Sequence, residues 1–408
     1  MKCRHCQSEL ELPFIDLGCA PPSNAYLSGD DLNKSEVTYP LQVMTCTSCW
    51  LVQTHDYANA DELFKADYAY FSSTSTSWLA HAENYCNMII KRLALTEQSH
   101  VVELASNDGY LLKNFVARGI PCLGVEPTQG TAEAARAKGI PVRQDFFGMN
   151  LARDLVKEGL KADLILGNNV YAHVPDINDF TKAIAHLLKP EGVITLEFPH
   201  LLRLIEQNQF DTIYHEHFSY LCLHAVSSLF EMAGLRIFDV EKLPTHGGSL
   251  RVYGCFDTAA FATADAVKSL LAEEVEAGLL EPATYRAFQR KAEKVKNDFL
   301  AFLLKAKSEG KSVAGYGAAA KGNSLMNFAG IGPDLIPYVC DASPSKIGKF
   351  LPGSRIPIYA PQRLEKDVPD YVVIFPWNIA TEITSQLSHL KAKGARFVVA
   401  VPELRILE

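Results

Sequence analysis

The chain has 408 residues, more than one hydrophobic core normally holds, so two or three domains are expected. Its composition, 48% hydrophobic and 21% charged, is typical of folded globular proteins and excludes a disordered chain. The formal net charge of −8 argues against DNA or RNA as a partner, because nucleic acids are bound by basic surfaces. An anionic small ligand is compatible with this charge, since a single pocket can be positive on an acidic protein.

The sequence gives no sign of export or of membrane insertion. No apolar run reaches the roughly 20 residues that cross a bilayer. The opening residues, MKCRHCQSEL, lack the apolar segment of a signal peptide. We therefore expect a cytoplasmic protein without membrane contact. In that reducing compartment, ten cysteines are more often metal ligands and core residues than disulfides.

Four of the cysteines form two C-x-x-C pairs, Cys3 with Cys6 and Cys46 with Cys49. Each pair can turn two sulfurs toward one point, and two pairs complete the tetrahedral thiolate site that zinc prefers. A redox motif would need only one pair, and cysteines of a core rarely fall into two spaced pairs. The pattern predicts a structural zinc site with no open position for catalysis. The other six cysteines are expected in hydrophobic cores.

From residue 100 onward, strand and helix signals alternate. Short strands are expected in HVVELASNDG, PCLGVEP, VRQDFF, ADLILGNNVYAHV and KPEGVITLEFP, and helical patterns separate the first three. This succession predicts an α/β domain with a mostly parallel sheet. Such sheets bind their ligands at the carboxyl ends of the strands.

The loop after the first strand runs from Glu103 through Ala105 and Asn107 to Gly109. A glycine-rich loop usually lies here so that backbone can approach a ligand closely, and a single glycine weakens the case for a dinucleotide. Glu126 closes the second strand, where a carboxylate can bind both hydroxyls of a ribose. The placement indicates an adenosine-type ligand, with two solvated carboxylates at strand ends as the alternative.

The densest group of proton-carrying side chains is DTIYHEHFSY, residues 211–220. His215 and His217 are two residues apart, a spacing that does not give the single helical face of an H-E-x-x-H zinc motif. Buried histidines and tyrosines often only satisfy hydrogen bonds, so a polar core is a second interpretation. A third is a proton-transfer site, since histidine has an ordinary pKa of about 6.5. The residues alone do not decide between these, nor which histidine faces inward.

A strand pattern, LRIFDVEKL, is followed by THGGSLRVYG. Two glycines beside His246 and Ser249 would let backbone N–H groups reach an anion, and Arg251 could add positive charge. A tight turn between antiparallel strands explains the same glycines. The two interpretations are compatible, and we predict a substrate-binding role for the three side chains.

The last third of the sequence begins with a helical stretch, residues 257 to about 310, broken at Glu281-Pro282. A second strand–turn–helix succession follows, in which GYGAAAKGN carries a glycine turn and IPYVCDAS ends a strand at Asp341. Alone, this would predict an NAD-binding unit whose acid binds a ribose. A lone G-x-G is a weak signal, however, and Lys321 lies at the expected helix start, where it could meet a phosphate.

The motifs VVELASNDGYLL, GVEP, GNNVYAHVPDINDF, FDTIYHEHFSYL and THGGSLRVY occur in this order between the cysteine pairs and GYGAAAKGN. With them the sequence resembles the S-adenosylmethionine-dependent sugar C-methyltransferases, which act on nucleotide-linked 4-keto-6-deoxy sugars. The resemblance extends from Cys3 to Pro376–Asn378, and YHEHFSY and HGGSLR are its most specific elements. It implies a zinc-binding module over 1–60, a Rossmann-like class I methyltransferase domain over 61–256, and a helical connector with a doubly wound α/β domain over 257–408.

The resemblance implies an S-adenosylmethionine site on the central domain. The residues that it implies for this site are Glu103, Ala105, Asn107, Gly109, Glu126, Asp145, Phe146, Asn168 and Asn169. Glu126 would hold the ribose, Asp145 and Phe146 would lie beside the adenine, and the two asparagines would line the methionine end.

Carbon attacks a methyl sulfonium only when it carries carbanion character, which a neighbouring ketone supplies through an enolate. Such a site needs a base over the carbon and donors around the oxygen. The resemblance implies His217 as the base, Glu216 as a second acid–base group, Tyr214 as a hydrogen-bond donor and His173 as the enolate stabiliser. A tyrosine of DYAYFSSTSTSW is expected to join them, with Tyr70 favoured over Tyr68.

By the same resemblance, the C-terminal domain would be a nucleotide-sugar platform. Its diphosphate contacts are expected in the turn Gly317–Asn323, including Lys321 and Asn323, and near Lys349. The expected function is methyl transfer to C-3′ of a nucleoside-diphosphate 4-keto-deoxysugar, with a TDP-linked sugar favoured and a monomeric enzyme. A 4-ketone activates both neighbouring carbons, so C-5′ is left open.

Two other functions compete with this one. An NAD-dependent nucleotide-sugar oxidoreductase or epimerase would explain the C-terminal pattern but would leave the central domain without a task. A zinc-ribbon interaction protein would give the acid–base segment, residues 211–220, no function. Binding of NADH or of S-adenosylhomocysteine distinguishes the two enzymes.

Overall fold

A computed structural model describes residues 1–57 and 72–407 of the chain. These residues form three β-sheets, of four, seven and six strands. The α/β class that the sequence predicts is confirmed. The first predicted domain boundary, after residue 60, lies outside the described residues. None of the helices that the structure describes is long and apolar enough to cross a membrane.

The bounds of the elements are as follows. The strands are β1 Leu12–Ala20, β2 Tyr39–Thr45, β3 Val52–Thr54, β4 Val101–Leu104, β5 Cys122–Val125, β6 Val142–Arg143, β7 Ala162–Asn168, β8 Leu188–Pro199, β9 Ser219–Tyr220, β10 Leu235–Leu243, β11 Ser249–Phe256, β12 Val313–Tyr316, β13 Val339–Cys340, β14 Ile358–Tyr359, β15 Tyr371–Ile374, β16 Arg396–Val399 and β17 Arg405–Leu407. The helices are α1 Thr76–Leu93, α2 Lys113–Val116, α3 Gln129–Ala137, α4 Met149–Lys157, α5 Ile177–Leu187, α6 Leu201–Glu206, α7 Leu223–Met232, α8 Asp265–Glu276, α9 Pro282–Arg286, α10 Phe288–Ser308, α11 Ala320–Ala329, α12 Gln362–Asp367, α13 Ala380–Gln386 and α14 Ser388–Ala392.

The N-terminal sheet is antiparallel, in the order β1-β2-β3-β9. Strands β1 to β3 belong to the part of the chain that carries the cysteine pairs, whereas β9 comes from the central part, at the end of DTIYHEHFSY. Val52 of β3 pairs with Tyr220, and Gln53 pairs with Ser219. The acid–base segment is therefore bonded to the cysteine-bearing module at its carboxyl end.

The central sheet has the order β10-β11-β8-β7-β4-β5-β6. Strands β4 to β8 are parallel, and β11 is antiparallel to its neighbours β8 and β10. All residues of β4 and β5 are buried, as in strands that helices cover on both faces. The third strand is shorter than VRQDFF predicts, because β6 ends at Arg143 and leaves Asp145 and Phe146 exposed. The strand order reverses between β4 and β7, where open α/β sheets bind ligands.

The C-terminal sheet, in the order β14-β13-β12-β15-β16-β17, is parallel except for β17. The stretch predicted as helical from residue 257 contains α8, α9 and α10 and becomes helical at Asp265. Its break falls at Glu281, where Pro282 begins α9. The connector reaches back to the N-terminal module, since Phe288 stacks on Phe14 of β1 with 4.5 Å between ring centroids.

The six cysteines outside the two pairs were expected in hydrophobic cores. Five of them are buried, but Cys19 is exposed, and for it the prediction is wrong. Cys19 lies on β1, the edge strand of its sheet, where alternate side chains face solvent.

Candidate active site

The four paired cysteines converge on one point. Their Sγ atoms all lie within 4.8 Å of one another, with Cys3 3.6 Å from Cys49 and Cys6 3.5 Å from Cys46. Four sulfurs at such distances match the tetrahedral shell of zinc, and the closed set leaves no position for a substrate. Nε2 of Gln53 donates to Sγ of Cys3 at 3.2 Å, a bond that stabilises the thiolate form. The residues present therefore fit a structural zinc ion.

The first cysteine pair also contacts the central domain. Arg4 and His5 lie between Cys3 and Cys6 in the sequence. Arg4 donates from Nη1 to the carbonyl of Pro175 at 2.9 Å, and Nδ1 of His5 donates to Oδ1 of Asn178 at 2.9 Å. Both contacts fall just after His173, on the turn that leads into α5 and on its first residues. A metal bound by this pair therefore fixes that turn through Arg4 and His5.

The loop after β4 has an unusual backbone. Ala105, Asn107 and Gly109 have φ angles of 54°, 49° and 74°, in the left-handed region that non-glycine residues rarely adopt. Gly109 is also required sterically, since a Cβ there would lie 2.2 Å from Cδ1 of Ile140. Backbone held in this region clusters at ligand-binding sites.

Three carboxylates lie together at this loop. Glu103 is buried, and neither of its oxygens has a hydrogen-bond partner in the described chain. Glu126 accepts from the backbone N–H of Asn107 at 2.9 Å and from that of Thr128 at 3.0 Å. Burial, and then the charges of Glu126 and Asp108, raise the pKa of Glu103 well above its ordinary value. A buried carboxyl group without a partner suits a ligand that carries positive charge.

The remaining predicted cofactor residues lie at the ends of β6 and β7. Nδ2 of Asn168 and Oδ1 of Asn169 are buried without a hydrogen-bond partner among residues 1–57 and 72–407. After β6, Phe146 exposes 46% of its surface beside the exposed Asp145. Two amides with one unpaired atom each, an exposed aromatic ring and the acidic loop fit the polar, planar and cationic parts of S-adenosylmethionine. These residues, with Glu103 and Glu126, would hold it.

His217 is held in one orientation by its own segment. Its Nδ1 lies 2.8 Å from the carbonyl oxygen of Thr212. A carbonyl only accepts, so Nδ1 carries the ring proton and Nε2 keeps the lone pair. The ring packs against Tyr214, with 4.0 Å between centroids, and against His173, with 4.5 Å. Burial, and then the nearby His173, keep the pKa of His217 well below its ordinary value, so the imidazole is neutral at pH 7.

His173 ends the 3-10 turn Tyr171–His173 and contacts the same segment. Its Nδ1 donates to the backbone carbonyl of Glu216 at 2.6 Å, and burial lowers its pKa to about 4. A neutral ring that donates through Nδ1 carries no proton on Nε2. The enolate-stabilising role predicted for His173 needs a donor at Nε2, and this geometry does not support it.

His215 and His217 point in different directions because the chain turns between them. The N–H of His217 donates to the carbonyl of Tyr214 at 2.9 Å, which makes a turn rather than a strand. His215 faces the N-terminal module, where Nε2 donates to the carbonyl of Tyr39 at 3.2 Å. In the part of the chain that the structure describes, only the four cysteines form a group that could hold a metal ion. A metal at these histidines is not supported.

Glu216 also lies against the N-terminal module. Its Oε1 accepts from the backbone N–H and from Nδ2 of Asn24, at 3.2 and 3.1 Å. Its Oε2 is buried without a partner in the described ranges, and burial raises the pKa of the carboxyl group. The N-terminal module thus takes part directly in holding the acid–base segment.

A further histidine comes from the turn between β10 and β11, which form the predicted hairpin. His246 has a φ of 53°, and the following Gly247 and Gly248 have φ angles of 88° and 114°, which glycine adopts readily. Nδ2 of Asn169 lies 3.0 Å from Nε2 of His246. The turn is thereby tied to the end of β7, beside the pocket predicted for the cofactor.

The C-terminal domain reaches the same region with Lys321 and Trp377. Nζ of Lys321, in the first turn of α11, donates to Oδ1 of Asn378 at 2.9 Å and lies 4.4 Å from the centroid of the Trp377 ring. Nε1 of Trp377 donates to Asp211 at 2.7 Å. Burial lowers the pKa of Lys321 to about 8, against the opposing effect of Asp211. Burial raises the pKa of Asp211 to about 6.

Known proteins resemble the chain over its whole length. Family models match a zinc binding domain at residues 3–64, a methyltransferase domain at 78–240 and a C-methyltransferase C-terminal domain at 244–402. The C-methyltransferase NovU of Streptomyces niveus is 35% identical over 406 residues, which cover 100% of this chain and 96% of that protein. The chain belongs to this C-methyltransferase family. It is an S-adenosylmethionine-dependent enzyme with a zinc-binding N-terminal module.

Other known proteins match only part of this chain. A ubiquinone biosynthesis O-methyltransferase of Bartonella tribocorum is 28% identical over 95 residues, which are 23% of this chain and 38% of that protein. The solved structure of an S-adenosylmethionine-dependent methyltransferase from Clostridium acetobutylicum shares 14% identity and has a TM-score of 0.36. It covers 44% of this chain and 92% of that one.

Two residues predicted to bind substrate are engaged within the C-methyltransferase itself. Arg251 is buried, and its guanidinium bonds Glu197 at 2.9 Å and Glu241 at 3.1 Å. Oγ of Ser249 donates to the carbonyl of Thr245 at 3.0 Å. The anion-binding role of Arg251 stays a prediction, because the buried Glu197 and the half-buried Glu241 already neutralise its charge.

Three further predicted residues have different outcomes. Asn323 is buried and donates from Nδ2 to the carbonyl of Ser23 at 2.6 Å, so it joins the C-terminal domain to the zinc-binding module. Lys349 is half-buried on the loop after β13, and its diphosphate role stays a prediction. Tyr70 lies outside the residues that the structure describes.

The sequence analysis did not single out a buried carboxylate beside the turn that carries His246. Glu197, on β8, accepts from Nε2 of His81, from Oγ1 of Thr245 and from Nη2 of Arg251, each at 2.9 Å. Burial alone would raise the pKa of Glu197, but His81 and Arg251 hold it below its ordinary value. Its position near the carboxyl end of a strand, like that of Glu103, is a sequence signal that could have identified Glu197. Through Thr245 this acid supports the turn that carries the cleft histidine.

Replacing Glu103 by Gln is expected to stabilise the ligand-free C-methyltransferase while weakening cofactor binding. The amide keeps the shape and removes the charge, which should add about 1–3 kcal/mol of stability. The pKa of Glu103 is higher in the folded than in the unfolded protein. Its destabilisation of the folded state therefore grows as pH rises above the ordinary carboxyl range. The gain should thus be larger at pH 8 than at pH 5.

Thermal unfolding at the two pH values and titration with S-adenosylhomocysteine measure both effects of Glu103→Gln. The affinity should fall at least about tenfold if the carboxylate meets the α-ammonium group, the positive charge that S-adenosylhomocysteine keeps. Wild-type stability at pH 8 together with wild-type affinity would contradict the assignment.

Proposed function

We propose that this C-methyltransferase methylates a carbon next to the ketone of a nucleoside-diphosphate 4-keto-deoxysugar. C-3′ is the favoured carbon, and a TDP-linked sugar is the favoured substrate. The observation that carries the proposal is the buried, neutral imidazole of His217, whose ring proton is fixed on Nδ1 and whose Nε2 keeps its lone pair. The full-length similarity to a C-methyltransferase supports carbon as the methylated atom.

A hydrogen next to a ketone is removable because the charge left on carbon spreads to oxygen as an enolate. In the proposed step, Nε2 of His217 takes this proton. Burial lowers the pKa of the imidazole, but the negative charge that develops on the adjacent substrate stabilises its protonated form and offsets this effect. When bound, S-adenosylmethionine supplies the electrophilic methyl group that the carbon takes up.

Two neighbours support His217 in this scheme. The ring of Tyr214 lies 4.0 Å from the imidazole, so its hydroxyl is our candidate for a hydrogen-bond donor to the sugar. Glu216 has a raised pKa and one oxygen without a partner in the described chain, and it is our second group for proton exchange.

An NAD-dependent function would depend on the C-terminal sheet. Its acid, Asp341, accepts from the backbone N–H groups of Ala318 and Ser343, both at 2.7 Å, and lies 3.7 Å from Nζ of Lys346. A ribose would have to displace these contacts to bind the carboxylate. These contacts argue against an NAD site at Asp341.

Methyl-labelled S-adenosylmethionine tests the proposal on a panel of 4-keto-6-deoxy sugars linked to TDP, UDP or GDP. We expect the label on carbon, at C-3′ by NMR, and the best turnover with the TDP sugar. Titrations should show binding of S-adenosylhomocysteine and none of NADH. Label on oxygen, or oxidation of NADH without methyl transfer, would contradict the proposal.

A further inference from the structure

An enolate oxygen requires hydrogen-bond donors, and the residues around His217 supply few. His173 donates through Nδ1 to Glu216, so it has no proton to offer at Nε2. Lys321 is a cation of the C-terminal domain. Its Nζ donates one hydrogen bond, to Oδ1 of Asn378 at 2.9 Å. Two of its three N–H groups have no partner among the residues that the structure describes.

Contacts across the domains connect Lys321 to the proposed base. Nζ of Lys321 lies 4.4 Å from the ring centroid of Trp377, which donates to Asp211 at 2.7 Å. Asp211 belongs to the 3-10 turn that ends at Thr212, the residue whose carbonyl holds His217 at 2.8 Å. One indole therefore contacts both the cation and the turn that orients the imidazole.

Two more contacts join the C-terminal domain to the surroundings of His217. The Trp377 ring packs on Gly247, where a Cβ would come within 2.5 Å of it, and Gly247 follows His246. One turn along α11 from the lysine, Oγ of Ser324 donates to the carbonyl of Ile213 at 2.8 Å. The N-terminal half of α11 is thus fixed against the segment that leads to His217.

We propose that Lys321 is a catalytic residue that binds the ketone oxygen of the substrate and stabilises the enolate, an inference that rests on the proposed function. It replaces the diphosphate role predicted from the sequence. The charge of Lys321 interacts electrostatically with Asp211, His217 and His246. Its two remaining N–H groups match the needs of one oxygen that gains charge. A half-buried ammonium is a strong donor because little solvent screens it.

Electrons and protons balance in this step. Nε2 of His217 takes the proton, the C–H pair becomes the carbon–carbon double bond, and the carbonyl π pair moves to the oxygen held by Lys321. The ammonium keeps its own protons. When the carbon takes up the methyl group, the double-bond pair forms the new bond and the carbonyl re-forms. The pair of the broken carbon–sulfur bond stays with sulfur.

The role of Lys321 makes the rate depend on pH. Burial lowers its pKa to about 8, and the titratable groups that face it are Asp211, His217 and His246. The ammonium is lost as pH rises through this value, so the rate at saturating substrate should fall above pH 8. Arginine keeps its charge, and Lys321→Arg should therefore flatten this alkaline limb of the profile.

Lys321→Met tests the proposal directly. With TDP-4-keto-6-deoxyglucose in heavy water, deuterium uptake at saturating substrate should be about 10²-fold to 10³-fold slower than in wild type. The affinity for TDP alone should stay within about threefold. The matched control is Lys296→Met, which removes a half-buried lysine 4.8 Å from the Phe328 ring in the same domain and should leave both values unchanged. Uptake within about threefold of wild type in Lys321→Met would overturn the proposal.

Failure of this inference differs from failure of the proposed function. If wild-type enzyme neither exchanges nor methylates any 4-keto sugar, the proposed function is wrong and the role of Lys321 falls with it. If wild type exchanges and methylates, and Lys321→Met does so at the same rate, only the role of Lys321 is overturned.

Discussion

The variant His217→Asn is expected to lower the rate of methyl transfer by about 10³-fold. Asparagine can keep the hydrogen bond to Thr212 through its amide, but it has no basic lone pair. The affinity for S-adenosylhomocysteine should stay within about threefold, since none of the residues assigned to the cofactor is changed. Rates at saturating substrates and calorimetric titrations measure the two quantities.

His215→Asn is the matched control for this variant. His215 is also a buried histidine of the segment, but it bonds the carbonyl of Tyr39 at 3.2 Å in the zinc-binding module. This control should lose about 1 kcal/mol of stability and keep its rate within about threefold of wild type. The assignment of the base is wrong if His217→Asn binds the cofactor normally and keeps more than about a tenth of the rate.

Loss of zinc is expected to have the second largest effect, on stability and on activity together. Cys46→Ser removes one of the four sulfurs, and structural zinc can contribute about 10 kcal/mol or more to the folding of a small module. Without the ion, Arg4 and His5 lose their fixed position, and so does the turn that follows His173. The melting temperature should drop by about 10 °C or more, and the rate should drop at least about tenfold.

Cys19→Ser is the control for the zinc prediction, because Cys19 is an exposed cysteine of the same module outside the cluster. It should retain one zinc ion per chain, the wild-type melting temperature and the wild-type rate. Elemental analysis and calorimetry measure the first two. A zinc-free Cys46→Ser protein that melts and turns over like wild type would show that the module does not support the active site.

The features that the sequence predicted well depend on short-range patterns. The buried strands β4 and β5, the helix break at Glu281 and the two cysteine pairs follow from residues within a few positions of one another. The loop containing Gly109 was located in the same way, since a single glycine after a buried strand marks it. Local propensity and spacing are sufficient for such features.

The contacts that the sequence did not predict join distant parts of the chain. Glu216 is held by Asn24, 192 positions away, and Arg251 is paired with Glu197, which lies on another strand. Lys321 packs on Trp377, whose hydrogen-bond partner Asp211 belongs to another domain. Nothing within a few residues of these side chains indicates the partner. A sequence pattern can therefore name the residue type without giving its neighbours.

The turn at Tyr214–His217 shows the same limit at short range. Alternation along a strand would have placed His215 and His217 on one face. A single backbone hydrogen bond of 2.9 Å, from the N–H of His217 to the carbonyl of Tyr214, separates them instead. The turn is favoured because β9 continues from it into the sheet of the zinc-binding module, a pairing that no local signal predicts.

Solvent exchange without a methyl donor tests the central claim most directly, namely that a buried imidazole takes a proton from carbon next to a ketone. Wild-type enzyme and His217→Asn would be incubated with TDP-4-keto-6-deoxyglucose in heavy water and followed by proton NMR. The expected result is deuterium at C-3′ of the sugar with wild type and none above background with the variant. Uptake at the wild-type rate in His217→Asn would contradict the claim.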